Sequence, residues 1–185
     1  MIRLLVTVSL LLLLIGCSGR DEKNFPHATI ETEGSLLGVH ELAVNRNVPW
    51  ELCWGPDDKL WFTEQEGRVC RLDTKTGKVD TLLVIPEVWF KRTAGLLGMD
   101  LFREENGTIY AFVNYTYKQD TTITSRLVRY QLQGDSLAQP TLLLEIPGYT
   151  AHNGSRVKIA HDGLVYWATG DAHVYGNAQD STSLN

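Results

Sequence analysis

Two histidines stand nine positions apart in the stretch TAHNGSRVKIAHDGLVYWATGDAHVYGNAQD, Thr150 to Asp180. An imidazole has an ordinary pKa near about 6.5, so at neutral pH it can take a proton from a reacting hydroxyl. His152 precedes a strand-like run, whereas His161 stands beside Asp162 and Gly163 in a turn pattern. Residue types alone leave two interpretations of His152 open: a working base, or an ordinary hydrogen-bonded histidine at the start of a strand.

The elements that must position these residues are short β-strands. β-branched and aromatic runs separated by turns recur along the chain, without helical periodicity after the N-terminal segment. The turn pairs Asp57-Asp58, Asn106-Gly107 and Asp162-Gly163 recur about every 50 to 55 residues, as expected of propeller blades. The sequence therefore predicts an all-β fold, a β-propeller of four-stranded antiparallel blades. In the first blade the predicted strands are 51–54, 59–63, 68–73 and 80–85, and in the second KQDTTITS predicts a longer loop.

The third blade ends after its second strand and the polar run HVYGNAQDSTSLN. A propeller closes with about four or more blades, and a shorter arc leaves sheet edges unpaired. We therefore expect residues 47–185 to be the N-terminal part of a longer propeller, with about three blades present. The alternative is a compact sandwich built from the same strands.

The blade geometry predicts which polar residues meet. In an antiparallel blade, the start of the first strand and the end of the second strand share one rim. His161 falls on the opposite rim, and an aspartate after glycine, such as Asp171, is more often a turn cap than a ligand. The residues predicted to share the first rim are Trp50, Glu64, Thr93, Asn114, Ala151, His152 and Asp171.

The N-terminus has the pattern of an export signal. Arg3 precedes an apolar run from Leu4 to Ile15, which is too short for a comfortable membrane span. Leu-Ile-Gly-Cys, ending at Cys17, resembles a bacterial lipobox, which implies a signal peptide over 1–16 and a lipidated Cys17. We expect a tether and N-terminal segment over 17–46, attached to the membrane in a bacterial cell envelope and facing the periplasm or the exterior. The alternative is an ordinary secretory signal cut nearby.

Charge and cysteine content limit which partners and which covalent cross-links are expected. The formal net charge is −5, and no run of Lys or Arg is present, so nucleic acid is not an expected partner. Cys53 and Cys70 fall on the first and third strands of one blade, about 9.6 Å apart at two strand spacings. That distance exceeds the reach of a disulfide, so we expect two small buried apolar side chains.

Three motifs in register carry a family resemblance. HNGSRVKIAHDGLVYWATGD followed by NAQD, together with PWELCWGPDDKLWFTEQEGRV and AGLLGMDLF, resembles the glucose/sorbosone dehydrogenase family. The resemblance implies a six-bladed propeller that holds pyrroloquinoline quinone over its central opening, with calcium bridging quinone and protein. It also implies that His152 is the catalytic base in the oxidation of a sugar at its anomeric hydroxyl. The quinone would accept the hydride.

The resemblance has consequences for other residues. Arg156 matches the family arginine. We expect its side chain to pair with a carboxylate rather than to contact the cofactor. Two positions that touch sugar in the glucose-oxidising members are Thr93 and Ala151 here, which leaves the identity of the sugar open. The residues that hold quinone and calcium are expected beyond Asn185, so no cofactor or metal ligand is assigned in this chain, and the 185-residue piece is expected to be inactive. A cytochrome or the quinone pool would receive the electrons.

Two other functions stay open at this point. A metal-dependent sugar lactonase would ring the axis with acidic and amide ligands, of which Glu64 and Asn114 are candidates. A non-catalytic, lipid-anchored binding propeller would account for the departures at Thr93 and Ala151.

Overall fold

The computed structural model describes residues 26–185, and the predicted signal peptide and Cys17 lie outside them. Residues 26–41 form a unit of their own. It contains an antiparallel hairpin that the sequence analysis did not predict, made of β1 (Ala28–Thr32) and β2 (Ser35–Val39). Among the described residues, no helix has the length and apolar character needed to cross a bilayer.

The first four-stranded sheet is a meander of neighbouring antiparallel strands. Tight turns connect these strands, and all four begin and end within two residues of their predicted positions. The strands are β3 (Pro49–Trp54), β4 (Leu60–Glu64), β5 (Arg68–Leu72) and β6 (Val79–Val84).

The second four-stranded sheet repeats this meander with longer strands, and it corrects one prediction. Its strands are β7 (Leu96–Arg103), β8 (Ile109–Gln119), β9 (Thr122–Gln133) and β10 (Ser136–Pro147). The longer loop predicted for KQDTTITS is wrong, because Gln119 pairs with Thr122 and leaves a two-residue turn. Asp120 adopts a φ of 53° there, the left-handed conformation that such short hairpin turns require.

The third sheet consists, within the described residues, of β11 (Gly154–Ile159) and β12 (Val165–Thr169). His161 lies in the exposed turn between them, as predicted. A short 3-10 turn, Asn177–Gln179, follows β12.

The three sheets pack in chain order with their first strands side by side. β7 contacts β3 and β4 on one side and β11 on the other. Trp61, Leu96 and Val113 are fully buried in the large core shared by the first two sheets, and Val157 of β11 is buried with Phe112 of the second sheet. Burying one such side chain contributes about 1.5–3 kcal/mol. The packing confirms the prediction of four-stranded antiparallel blades.

Polar contacts tie the sheets together near their first strands. Thr63 of the first sheet donates to the Leu97 carbonyl of the second at 2.7 Å. Asp100 of the second sheet accepts from the Ile159 amide of the third at 2.9 Å. Arg156 forms an ion pair with Glu51, a nearly buried carboxylate of the first sheet. The predicted pairing of Arg156 with a carboxylate is therefore confirmed.

The two cysteines of the propeller region are free thiols. Cys53 lies on β3 and Cys70 on β5, with β4 between them. Burial raises the pKa of Cys53 to about 12 and also raises the pKa of Cys70, so both stay protonated at neutral pH. The prediction of two unbridged thiols is confirmed, with Cys70 buried and Cys53 half-buried.

Candidate active site

The centre of the site is a histidine and an aspartate that face each other just outside β11 and β12. Because Gly154 pairs with Thr169, the residues beyond these strand ends meet at one rim. His152 precedes β11 and Asp171 follows β12, and the Nδ1 of His152 lies 3.0 Å from the Oδ1 of Asp171. Of the residues that the sequence gathered onto this rim, these two are in direct contact.

Backbone hydrogen bonds hold the two residues in place. The amide of Gly170 donates to the Asn153 carbonyl at 2.9 Å, and the amide of Ala172 donates to the His152 carbonyl at 3.1 Å. A Cβ atom added to Gly170 would lie 2.1 Å from that His152 oxygen. Only glycine therefore allows the two chain segments to approach this closely.

Asp171 organises both sides of the turn. Its Oδ1 accepts from the amide of His173 at 2.9 Å as well as facing His152. Loss of hydration would raise the pKa of this carboxyl, but the hydrogen bonds from His173 and His152 outweigh it and hold the pKa below its usual value. An ionised carboxylate at Nδ1 fixes the proton on that nitrogen and leaves Nε2 as the proton acceptor.

Three residues that are not glycine adopt left-handed backbone conformations here. The φ angles are 58° for His152, 48° for Ala172 and 65° for His173. Each costs on the order of 1–3 kcal/mol, and such residues concentrate at functional sites, where the surrounding structure holds them. The strain lies in the same segments that carry the histidine–aspartate pair.

Aromatic rings surround His152. The ring of His173 lies 4.9 Å away, edge to face, and the ring of Tyr175 lies 6.0 Å away. Tyr149 stacks on His173 at 5.3 Å with an interplanar angle of 4°. We call Tyr149, His173 and Tyr175 the aromatic wall. The wall and His152 are exposed, so this rim presents an imidazole beside an open aromatic surface.

The other residues predicted for this rim have different surroundings. Trp50 is partly exposed, Ala151 is buried next to His152, and Thr93 is exposed in the turn before β7. Contact of Thr93 and Ala151 with a sugar stays a prediction.

Glu64 and Asn114, the candidate lactonase ligands, are buried and engaged. Glu64 faces Arg46 at 3.6 Å and Arg68 at 3.3 Å. The Asn114 amide nitrogen donates to the Ser125 hydroxyl at 2.8 Å. The Asn114 Oδ1 is buried and has no hydrogen-bond partner within residues 26–185. The lactonase stays an alternative prediction, and no group of three His, Cys, Asp or Glu side chains among the described residues could hold its metal ion.

The sequence analysis did not identify the aromatic wall. His173 is only two positions after Asp171, and a second histidine in the same turn was a signal that could have been followed. Tyr149 could not be found this way, because its position depends on Asn153. The Asn153 side chain accepts from the Tyr149 amide at 2.9 Å and donates to the Tyr149 carbonyl at 2.7 Å.

Comparison with known proteins places this geometry in context. The family model for glucose/sorbosone dehydrogenases matches residues 46–185. Quinoprotein glucose dehydrogenase B of Acinetobacter calcoaceticus is 29% identical over 139 residues, which cover 69% of this chain and 29% of that protein. The chain thus spans less than a third of the length of this curated relative.

Solved structures of two dehydrogenases have a similar fold. The aldose sugar dehydrogenase of Streptomyces coelicolor, solved with pyrroloquinoline quinone bound, is 30% identical with a TM-score of 0.67, over 78% of this chain and 44% of that one. A putative glucose dehydrogenase of Thermus thermophilus is 27% identical with a TM-score of 0.69, over 79% of this chain and 44% of that one. The fold is therefore part of a propeller, and this chain belongs to the glucose/sorbosone dehydrogenase family.

Proposed function

We propose that the full-length protein oxidises an aldose or a related sugar at its anomeric hydroxyl, with pyrroloquinoline quinone as the cofactor and His152 as the base. The observation that carries this proposal is the His152–Asp171 pair, exposed on the rim of a family member. The quinone-bound aldose sugar dehydrogenase of Streptomyces coelicolor supports the cofactor.

The described residues include a group that can accept the proton of the sugar hydroxyl. Asp171 accepts from Nδ1 of His152 and so orients the ring. No other hydrogen bond to this ring occurs within residues 26–185, and its side chain is 45% exposed, so Nε2 can receive the proton of a sugar hydroxyl. Bound quinone supplies an electrophilic carbonyl carbon that takes up hydride.

The described residues fit the substrate side of such a site better than the cofactor side. Quinone carboxylates need cationic partners, and the rim beside His152 offers aromatic rings and a carboxylate instead. No three His, Cys, Asp or Glu side chains within residues 26–185 converge as metal ligands. We propose that residues outside this rim hold the quinone and calcium.

We also propose that Cys17 carries a lipid that holds the protein at the bacterial membrane, where a cytochrome or the quinone pool would receive the electrons. Cells grown with labelled palmitate should label the parent protein and not a Cys17→Ser variant. Equal labelling and processing of both would overturn the anchor while leaving the sugar oxidation untouched.

Dye reduction by the full-length protein tests the proposed oxidation. After reconstitution with calcium and pyrroloquinoline quinone, aldose should reduce the dye, and omission of the quinone should abolish the reaction. The 185-residue piece should be inactive under the same conditions. A full-length protein that never binds the quinone would instead support a binding propeller, and lactone hydrolysis that depends on a divalent metal would support the lactonase.

A further inference from the structure

The aromatic wall has a chemistry that the proton transfer does not use. Its three rings lie close together, with 5.3 Å between Tyr149 and His173 and 5.4 Å between His173 and Tyr175. Tyr149 is 44% exposed and Tyr175 is 71% exposed. Tyrosine is enriched at binding surfaces because its ring combines an apolar face with a polar tip.

The polar atoms of the wall are also available. Within residues 26–185, the Tyr149 hydroxyl, the Tyr175 hydroxyl and the ring nitrogens of His173 take part in no hydrogen bond. Apolar ring faces beside unengaged donors and acceptors form an amphipathic surface. A pyranose matches it, since its C–H groups can lie on a ring while its hydroxyls bind the polar tips.

Hydrogen bonds hold the backbone of two residues of the wall, Tyr149 and His173. The side chain of Asn153, only 3% exposed, binds both backbone polar groups of Tyr149. The backbone of His173 is held in a left-handed conformation by its hydrogen bond to Asp171. Rigid rings lose little freedom when a ligand binds, so the arrangement suits recognition. The same carboxylate thus orients the base and one ring of the wall.

The geometry points to the aromatic wall as a binding surface for the pyranose ring of the substrate, with Tyr175 as its main platform. Tyr149 and His173 cover one face of each other by stacking, whereas Tyr175 is tilted by 53° to His173 and is the most exposed of the three. A sugar seated on Tyr175 lies beside His152, whose ring centroid is 6.0 Å away. This inference rests on the proposed sugar oxidation, and it assigns Tyr175 and His173 to substrate positioning.

Steady-state kinetics of the reconstituted full-length protein with D-glucose, D-galactose and D-xylose test the wall. Tyr175→Ala and His173→Ala should each raise KM roughly tenfold, the scale expected for loss of one aromatic contact, with kcat near the parental value. Tyr175→Phe keeps the ring but loses the hydroxyl that would bind a sugar hydroxyl, so its KM should lie between those of the parent and of Tyr175→Ala. His161→Ala, at the opposite end of the sheet, is the matched control.

Calorimetric binding of the same sugars to the cofactor-free full-length protein gives a readout apart from turnover. The parent should bind an aldopyranose more tightly than sorbitol, which has no ring, and Tyr175→Ala should remove that preference. Unchanged KM and sugar preference in an active Tyr175→Ala and an active His173→Ala protein would overturn the wall while leaving the oxidation in place. A quinone-loaded parent that oxidises none of the sugars would overturn both.

Discussion

The two ends of the third sheet contain the same residue type in opposite circumstances. His161 lies in a solvent-exposed turn, and Gly163 beside it faces open space, with no atom within 4 Å of an added Cβ. At the other end, His152 is oriented by Asp171, and Gly170 leaves no room for a side chain against the His152 carbonyl.

The difference shows what makes a histidine a candidate base. Both imidazoles have the same intrinsic chemistry, and both are exposed. Only His152 has a carboxylate that fixes the proton on one ring nitrogen and an aromatic surface beside it. The backbone there is also closed by two hydrogen bonds, both donated by the segment that follows β12. The position of the ring, rather than its type, therefore decides its role.

The largest expected effect is the loss of the base. In the full-length protein, His152→Gln should slow quinone-dependent sugar oxidation about 10² to 10⁴-fold, or about 2.7–5.4 kcal/mol of barrier, because a positioned base is removed. His161→Gln should leave the rate near the parental value. Equal effects of the two substitutions in dye-reduction assays would contradict the claim that only His152 acts as a base.

A smaller effect is expected on the free energy of unfolding when a side chain is added where Gly170 packs against the His152 carbonyl. Gly170→Ala should lower the free energy of unfolding by about 1–3 kcal/mol, because the added methyl group meets a backbone oxygen that cannot move away. Gly176→Ala is the control, since Gly176 has a φ of −73° and open space around it. Urea titration should separate the two variants, and equal stability would show that the turn is not tightly closed.

The smallest effect is a pH dependence of stability carried by Asp171. Its pKa is lowered in the folded protein, so its stabilising contribution is present above the ordinary carboxyl pKa of about 3.9 and is lost as pH falls through the lower folded value. The Asp171→Asn variant should therefore have a lower melting temperature than the parent at neutral pH, and this difference in melting temperature should become smaller in acid. Asp162→Asn, in the opposite turn, controls for removal of a turn carboxylate. If the difference in melting temperature between Asp171→Asn and the parent does not change with pH, the Asp171 carboxylate does not stabilise the fold through its ionised form.

Much of the fold was predictable because its signals are local. Alternating apolar residues and turn pairs fixed the four strands of the first sheet to within two residues, and strand spacing alone kept Cys53 and Cys70 apart. The β8–β9 hairpin was missed because a polar stretch such as KQDTTITS suits a loop as well as a solvated hairpin. Strand pairing decided between them.

The site was predictable only in part, for the same reason. The rule for strand ends brought His152 and Asp171 to one rim, but it could not show that Asp171 orients the base in addition to capping its turn. The aromatic wall depends on how the segment before β11 lies against the turn after β12, which brings the rings of Tyr149 and His173 to 5.3 Å from each other. Pattern along the chain contains no information on that distance.

The most direct test of the central claim is the pH dependence of kcat/KM for sugar oxidation by the full-length, quinone-loaded protein. A reaction that needs an unprotonated imidazole slows towards acid pH, so the parent and His161→Gln should share that decline. The residual activity of His152→Gln should lack it, because no imidazole remains to be protonated. A His152→Gln protein that keeps both the parental rate and the parental acid decline would contradict the assignment of His152 as the base.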